Sequence, residues 1–115
     1  MPEIKVVGDI RSGKYQPTLT GNAIVDAALI DHFCQQLAAA LHLPGQRIQA
    51  EHHWDQTVDN QTIYIIDNRI WRASATPGDH HNVITVSGSD LQRGRITAAY
   101  HRLLNVLPHP STTNN

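Results

Sequence analysis

Apolar residues recur at helical spacing over one long stretch of this chain and over a second, shorter one, with short apolar runs between them. From Asn22 to His42 the positions Leu29/Ile30, Phe33, Leu37 and Leu41 form a stripe three to four residues apart, which predicts an amphipathic helix. Thr20 or Asn22 can cap its start, and Pro44-Gly45 ends it. A second stripe, Ile96, Ala99/Tyr100, Leu103 and Leu107, predicts a helix that starts after Gly88 with Ser89 or Asp90 as its cap and stops before Pro108. Between the helices lie four strand candidates, Arg47 to Trp54, Thr62 to Asp67, Ile70 to Ala75 and Asn82 to Ser87. Loops containing Gly, Asp, Asn and Pro separate them, with Asp67-Asn68 as the tightest turn. At the front, Ile4 to Ile10 reads as a strand that turns at Ser12-Gly13 into an edge strand from Tyr15 to Leu19, which tolerates Pro17.

Short links between neighbours favour antiparallel pairing. The expectation is an α+β two-layer sandwich of order β(β)-α-β-β-β-β-α: a curved antiparallel sheet with both helices on one face. This order of elements resembles that of TATA-box-binding-protein-like and helix-grip domains; the resemblance is one of arrangement, shares no motif and implies no function. Residues 1–107 form one domain in this reading, and 108–115, Pro108-His109-Pro110-Ser111-Thr112-Thr113-Asn114-Asn115, form a flexible polar tail.

Composition narrows the functional classes. With 115 residues and 40% hydrophobic content, the chain can bury a core without disulfides or metals. Its net charge of −1 argues against a general nucleic-acid binder, whose affinity comes from many Lys and Arg contacts to phosphate. One cysteine, Cys34, excludes an internal disulfide and any multi-cysteine zinc site. No apolar run resembles a signal peptide or a membrane span, so the expected setting is the cytoplasm, away from membranes.

Gly8-Asp9-Ile10-Arg11-Ser12-Gly13-Lys14-Tyr15 follows an apolar run and nearly matches a phosphate-binding loop, and Ile63 to Asp67 looks like an apolar strand ending in a metal-binding aspartate. Tyr15 replaces the hydroxyl residue that would hold Mg²⁺. A nucleotide loop also needs a helix directly after the lysine, whereas here Tyr15-Gln16-Pro17 follows and helical periodicity begins near Ala23. A degenerate nucleotide-binding loop is therefore only the third functional reading.

The first reading is a non-enzymatic binding or protein-interaction module that uses the outer face of its sheet, binding a second copy as a homodimer, another protein or a small ligand. Strand alternation puts Glu51, His53, Tyr64, Ile66 and Arg72 on that face, a mixture of carboxylate, aromatic and guanidinium groups of the kind that anchors interfaces. The same alternation puts His52 on the inner face with Ile48, Ala50 and Trp54. No cofactor is required by this reading. The second reading starts from eight histidines, and it assembles a divalent-metal site (Zn or Mn) from His52, His53, Asp79, His80 and His81, either for binding or for hydrolysis. Adjacent histidines on a strand point to opposite faces, so such a site needs the Asp79–His81 loop to fold over the strand end. Cys34 borders the Phe33/Leu37 stripe and reads as a buried structural thiol, not a nucleophile paired with His32.

Overall fold

All four strands of the sheet run in the same direction. The computed structural model describes residues 3–14, 16–74 and 80–106. Its strands are β1 (Glu3–Val7), β2 (Ile48–Ala50), β3 (Thr62–Asp67) and β4 (Val83–Val86), hydrogen-bonded in the order β2-β1-β3-β4 with every pair parallel. The antiparallel α+β sandwich expected from the sequence is thus corrected to an α/β fold. The physical reason is visible in β3, Thr62-Ile63-Tyr64-Ile65-Ile66-Asp67, all six of whose residues are buried. A strand with one wet face alternates polar and apolar residues, whereas a parallel strand covered on both faces is continuously apolar.

Parallel neighbours cannot be joined by a tight turn, so each pairing needs a crossover. Helix α1 (Ala23–Leu41) carries the chain from β1 out to β2, and helix α2 (Asn68–Ala73) lies between β3 and β4. The two excursions leave the centre of the sheet in opposite directions. Right-handed crossovers therefore put α1 and α2 on opposite faces. The packing agrees. Ile30, Phe33 and Leu37 of α1 join Ile4, Val6, Ile63, Ile65, Ile84 and Val86 in one core cluster. Ile70 of α2 joins Val7, Ile10, Trp54, Tyr64 and Ile66 in the other.

The local signals explain the elements. Asn22 Oδ1 accepts from the amides of Ile24 and Val25 and caps α1, while His42, in the left-handed region, ends it with its amide on Ala38 and Ala39. By length and composition α1 is apolar enough to cross a membrane, yet here it is a core helix packed on the sheet. The residues from Ile70 on, expected as a strand, are helical because Asp67 caps α2: its side chain accepts from the Arg69 amide. Ala75 lies outside the described residues. The expected second helix is two helices, α3 (Gly88–Arg93) and α4 (Thr97–Val106). Gly94 at φ 66° caps α3 in a conformation that costs side chains more than glycine. Ser87, not Ser89 or Asp90, caps α3, through its Oγ and the Asp90 amide.

The front of the chain also departs from the expected hairpin. β1 stops at Val7, and among the described residues 16–19 there is no strand. β2 is shorter than Arg47 to Trp54, because after Ala50 the chain leaves the sheet and lays Trp54 on the second core. The expected tail, 108–115, lies outside the described residues.

Ile66 tests the two-sided burial of the sheet. It is fully buried on the face assigned by sequence to solvent. Ile66→Ala is expected to destabilise the protein by ~2–5 kcal/mol in a urea or guanidinium titration. A loss below ~0.5 kcal/mol, the range of surface substitutions, would contradict the second core.

Candidate functional site

The order β2-β1-β3-β4 reverses direction between β1 and β3, and open parallel sheets bind ligands in the crevice outside the carboxyl ends at such a point. Here a buried aspartate stands at or just past each strand's end, followed two residues later by an arginine: Asp9, two residues beyond β1, with Arg11, and Asp67, the last residue of β3, with Arg69. Asp9, 1% exposed, accepts from Arg11 Nε at 3.0 Å through Oδ2, and its Oδ1 lies 2.6 Å from Nδ1 of His52. Asp67 Oδ1 accepts from the amide of Arg69 at 2.8 Å, and its Oδ2 accepts from Arg69 Nη2 at 2.9 Å. A buried carboxylate without such partners would be strongly destabilising. Gly88 packs against this pair so closely that an added Cβ would lie 3.0 Å from Asp67 Oδ2.

A third buried carboxylate ties a loop across this edge. Asp26, in the first turn of α1, accepts from the amides of Leu19 (3.1 Å) and Thr20 (2.9 Å) and from the Thr20 hydroxyl (2.6 Å). Arg69 Nη2 donates to Thr18 O, Gln92 Nε2 to Leu19 O, and the Ile10 amide to Pro17 O. Residues 17–20 are thereby strapped over the carboxyl ends of the strands.

Beside this strap, the edge stays open. The turn at Ser12-Gly13-Lys14 and the turn at His53-Trp54-Asp55-Gln56 face each other across a cleft of about 270 Å³, with Ile10 and Trp54 contributing apolar surface. Gly13 takes φ 84°, which glycine adopts without strain. A bond from the Arg11 amide to His52 O (2.7 Å) holds the two turns together. Thr57 donates to Asp55 Oδ1 through its hydroxyl (2.6 Å) and its amide (3.1 Å), and these bonds hold the Asp55 carboxyl below its ordinary value, so it stays ionised. The cleft therefore presents an ammonium and a carboxylate over an apolar floor.

The sequence-predicted residues do not gather as one outer face. Tyr64 and Ile66 are buried in the second core, where burial and the neighbouring Asp59 raise the pKa of the Tyr64 phenol. Glu51 pairs with Lys5 at 3.5 Å, not with Arg72, and accepts from the His53 amide. His53 is exposed beside the cleft, and Arg72 is exposed on α2. Glu51, His53 and Tyr64 do border one shallow depression of about 200 Å³, together with Lys5.

The proposed metal ligands are also dispersed. His52 is not on an inner strand face, since β2 ends at Ala50; it is partly exposed and bound to Asp9. His53 is on the exposed turn, His80 packs edge-on against Trp71, and His81 is exposed. Asp79 lies outside the described residues. Among the described residues no group of three or more His, Cys, Asp or Glu side chains assembles as a metal site. The near-match to a phosphate-binding loop also lacks its helix: after Lys14 the next helix starts at Ala23, its first free amides already taken by Asn22.

Sequence reasoning missed the buried roles of Asp9 and Asp26, and read Asp67 only as the aspartate of a degenerate nucleotide site. The signal was present twice, as an apolar run closed by Asp-x-Arg, in Val6-Val7-Gly8-Asp9-Ile10-Arg11 and in Ile65-Ile66-Asp67-Asn68-Arg69.

Cys34 is buried against the α1 core, and burial, followed by the charge of Asp31, pushes its pKa from 9.0 to about 12. The unfolded chain therefore loses the thiol proton first. This contribution to stability is complete below pH ~9 and is lost as the pH climbs toward about 12. Cys34→Ala should make the alkaline decline shallower. A disulfide reagent at pH 8 should label the thiol only after denaturant is added; labelling of the native protein at the denatured rate would show an exposed thiolate.

No protein-family model matches this chain, and no curated protein and no solved structure is significantly similar to it, so its functional reading rests on the site itself.

Proposed function

We propose that this chain is a small-ligand-binding α/β module that takes its ligand in the cleft at the carboxyl edge of the sheet. The observation that carries the reading is that cleft: about 270 Å³ beside the β1/β3 reversal, with Lys14 on one side, Asp55 on the other and Ile10 and Trp54 beneath. Clefts at this position in parallel sheets are where the fold family of open α/β sheets holds ligands, with few polar groups fixing orientation over apolar surface. The ligand this chemistry suits is compact and carries an anionic group toward Lys14 and a hydrogen-bond donor or cation toward Asp55. The Ser12 hydroxyl and the backbone of Gly13 supply further polar groups for the anionic end.

The binding-module reading is thus kept, and its surface moves from the sheet's outer face to the strand ends, because Tyr64 and Ile66 are inside the fold. A small ligand replaces the second copy of the chain as the favoured partner. The net charge of −1 continues to disfavour nucleic acid. A cytoplasmic setting goes with this reading, supported by a single, buried, unpaired cysteine.

An enzymatic reading has one specific observation behind it, the Asp9–His52 pair. A buried carboxylate on Nδ1 fixes an imidazole's tautomer and leaves Nε2 to exchange protons. Among the described residues no nucleophile is bonded to that ring, so the binding reading stands first.

A thermal-shift screen of small amino acids, carboxylates and phosphate esters, followed by calorimetry of the best hit, tests the proposal. A charge-assisted contact is worth ~1.5–3 kcal/mol, so Lys14→Ala should weaken that hit roughly 10- to 100-fold. Unchanged affinity in Lys14→Ala, or a screen with no hit at millimolar concentration, would overturn it.

A further inference from the structure

A second cleft, of about 400 Å³, lies at the far edge of the sheet, between α2 and α4 and along β4. Its chemistry differs from that of the carboxyl-edge cleft. Arg102 is the one charged side chain among its described lining residues, and no described carboxylate borders it. Arg102 Nη1 donates to Thr85 O at 2.8 Å, which fixes the guanidinium over the edge strand, and among the described residues its other donors have no acceptor. Among the described residues no acidic group pairs with it. Asn105, one helical turn on at i+3, falls on the same side of α4 and adds an amide.

The rest of the wall is apolar and aromatic. Trp71 and Val83 line it, and His80 stands edge-on to Trp71, with ring centroids 5.8 Å apart and planes at 84°. His80 Nε2 is buried and has no hydrogen-bond partner among the described residues. Buried polar atoms are almost always satisfied, so an orphan at the wall of a cleft marks the place of a missing partner.

We infer that this cleft is a binding site for an organic anion, namely a planar aromatic carboxylate. Its ring stacks along Trp71 and Val83. Its carboxylate accepts from the Arg102 fork, which matches that group's geometry, and from Asn105, with His80 Nε2 an unsatisfied polar atom in the same wall. The site is independent of the carboxyl-edge cleft, which contains neither Arg102 nor His80.

The probe is 2-naphthoate, with 2-naphthamide as the neutral isostere, titrated into the ¹⁵N-labelled full chain. Saturable shifts are expected at the Thr85 amide, the Trp71 indole and Arg102 Nε, with Ser12 and Lys14 unmoved. The amide should bind at least tenfold more weakly than the carboxylate. Arg102→Gln, in a protein whose spectrum stays dispersed, should cost at least tenfold in affinity. Asn105→Asp, which leaves the Arg102–Thr85 bond in place and sets a negative charge beside the ligand, should cost the same and decides the matter alone if Arg102→Gln does not fold. Equal binding of naphthoate and naphthamide would mean apolar partition only and overturn the assignment. So would shifts confined to Ser12 and Lys14, unchanged affinity in a folded variant, or no saturable binding.

Discussion

Strand β1 has a parallel neighbour on each side, and everything else in this molecule follows from that placement. Ile4 pairs with Ile48 on one side and with Ile63 on the other. A parallel partner has to be reached by a crossover, so the chain spends α1 on the first pairing and the connection through 51–61 on the second. Those excursions cover opposite faces of the sheet. The central strands consequently have no wet side, which is why Val6 and Val7, adjacent in sequence and facing opposite ways, are both completely buried. The same geometry brings the carboxyl ends of β1 and β3 side by side.

That edge is built from charges which the fold can hold only in combination. Asp9, Asp26 and Asp67 are all buried, and each is tied to donors that come from another part of the chain or from an arginine two residues on. Removing one donor would leave a buried carboxylate uncompensated, a larger loss than the net worth of the pair itself. The strap at 17–20 is therefore not a loose connection. It satisfies Asp26, occupies Arg69 and Gln92, and leaves the remaining opening of the edge beside Ser12–Lys14, where an ammonium and an ionised carboxylate face each other.

Helix α1 was legible in the sequence, because it has a clear stripe, an Asn cap and a terminating Pro-Gly, whereas α2 read as a strand and α3 and α4 as one helix. The break at Gly94 was hidden by the single stripe running through Ile96, Tyr100 and Leu103. Strand direction was not legible, because short loops were taken to mean hairpins. Asp67-Asn68 illustrates the ambiguity: the same pair reads as a tight turn between strands and as the cap of a helix, and only the buried carboxylate with its bond to the Arg69 amide separates the two. The continuous burial of Thr62 to Asp67 was the better clue, since an alternating pattern imposed on it sent Tyr64 and Ile66 to the wrong side. Of the candidate site, Lys14 and Gly13 were visible as a broken phosphate loop, and their contribution to a cleft was not, because His53 and Trp54 of the opposite wall lie in a segment read as strand. The second cleft was invisible for a similar reason: the place of Arg102 over β4 depends on which strand forms the edge.

The direction of the β1–β3 pairing is the claim on which the rest stands, and interstrand nuclear Overhauser contacts in the labelled protein measure it directly. Parallel pairing in this register predicts contacts linking Lys5 with Tyr64 and Val7 with Ile66, and none of the close Hα–Hα contacts that mark antiparallel neighbours. Strong Hα–Hα contacts between Thr62–Asp67 and Ile70–Ser74 would instead restore the hairpin, expose one face of the sheet and remove both clefts.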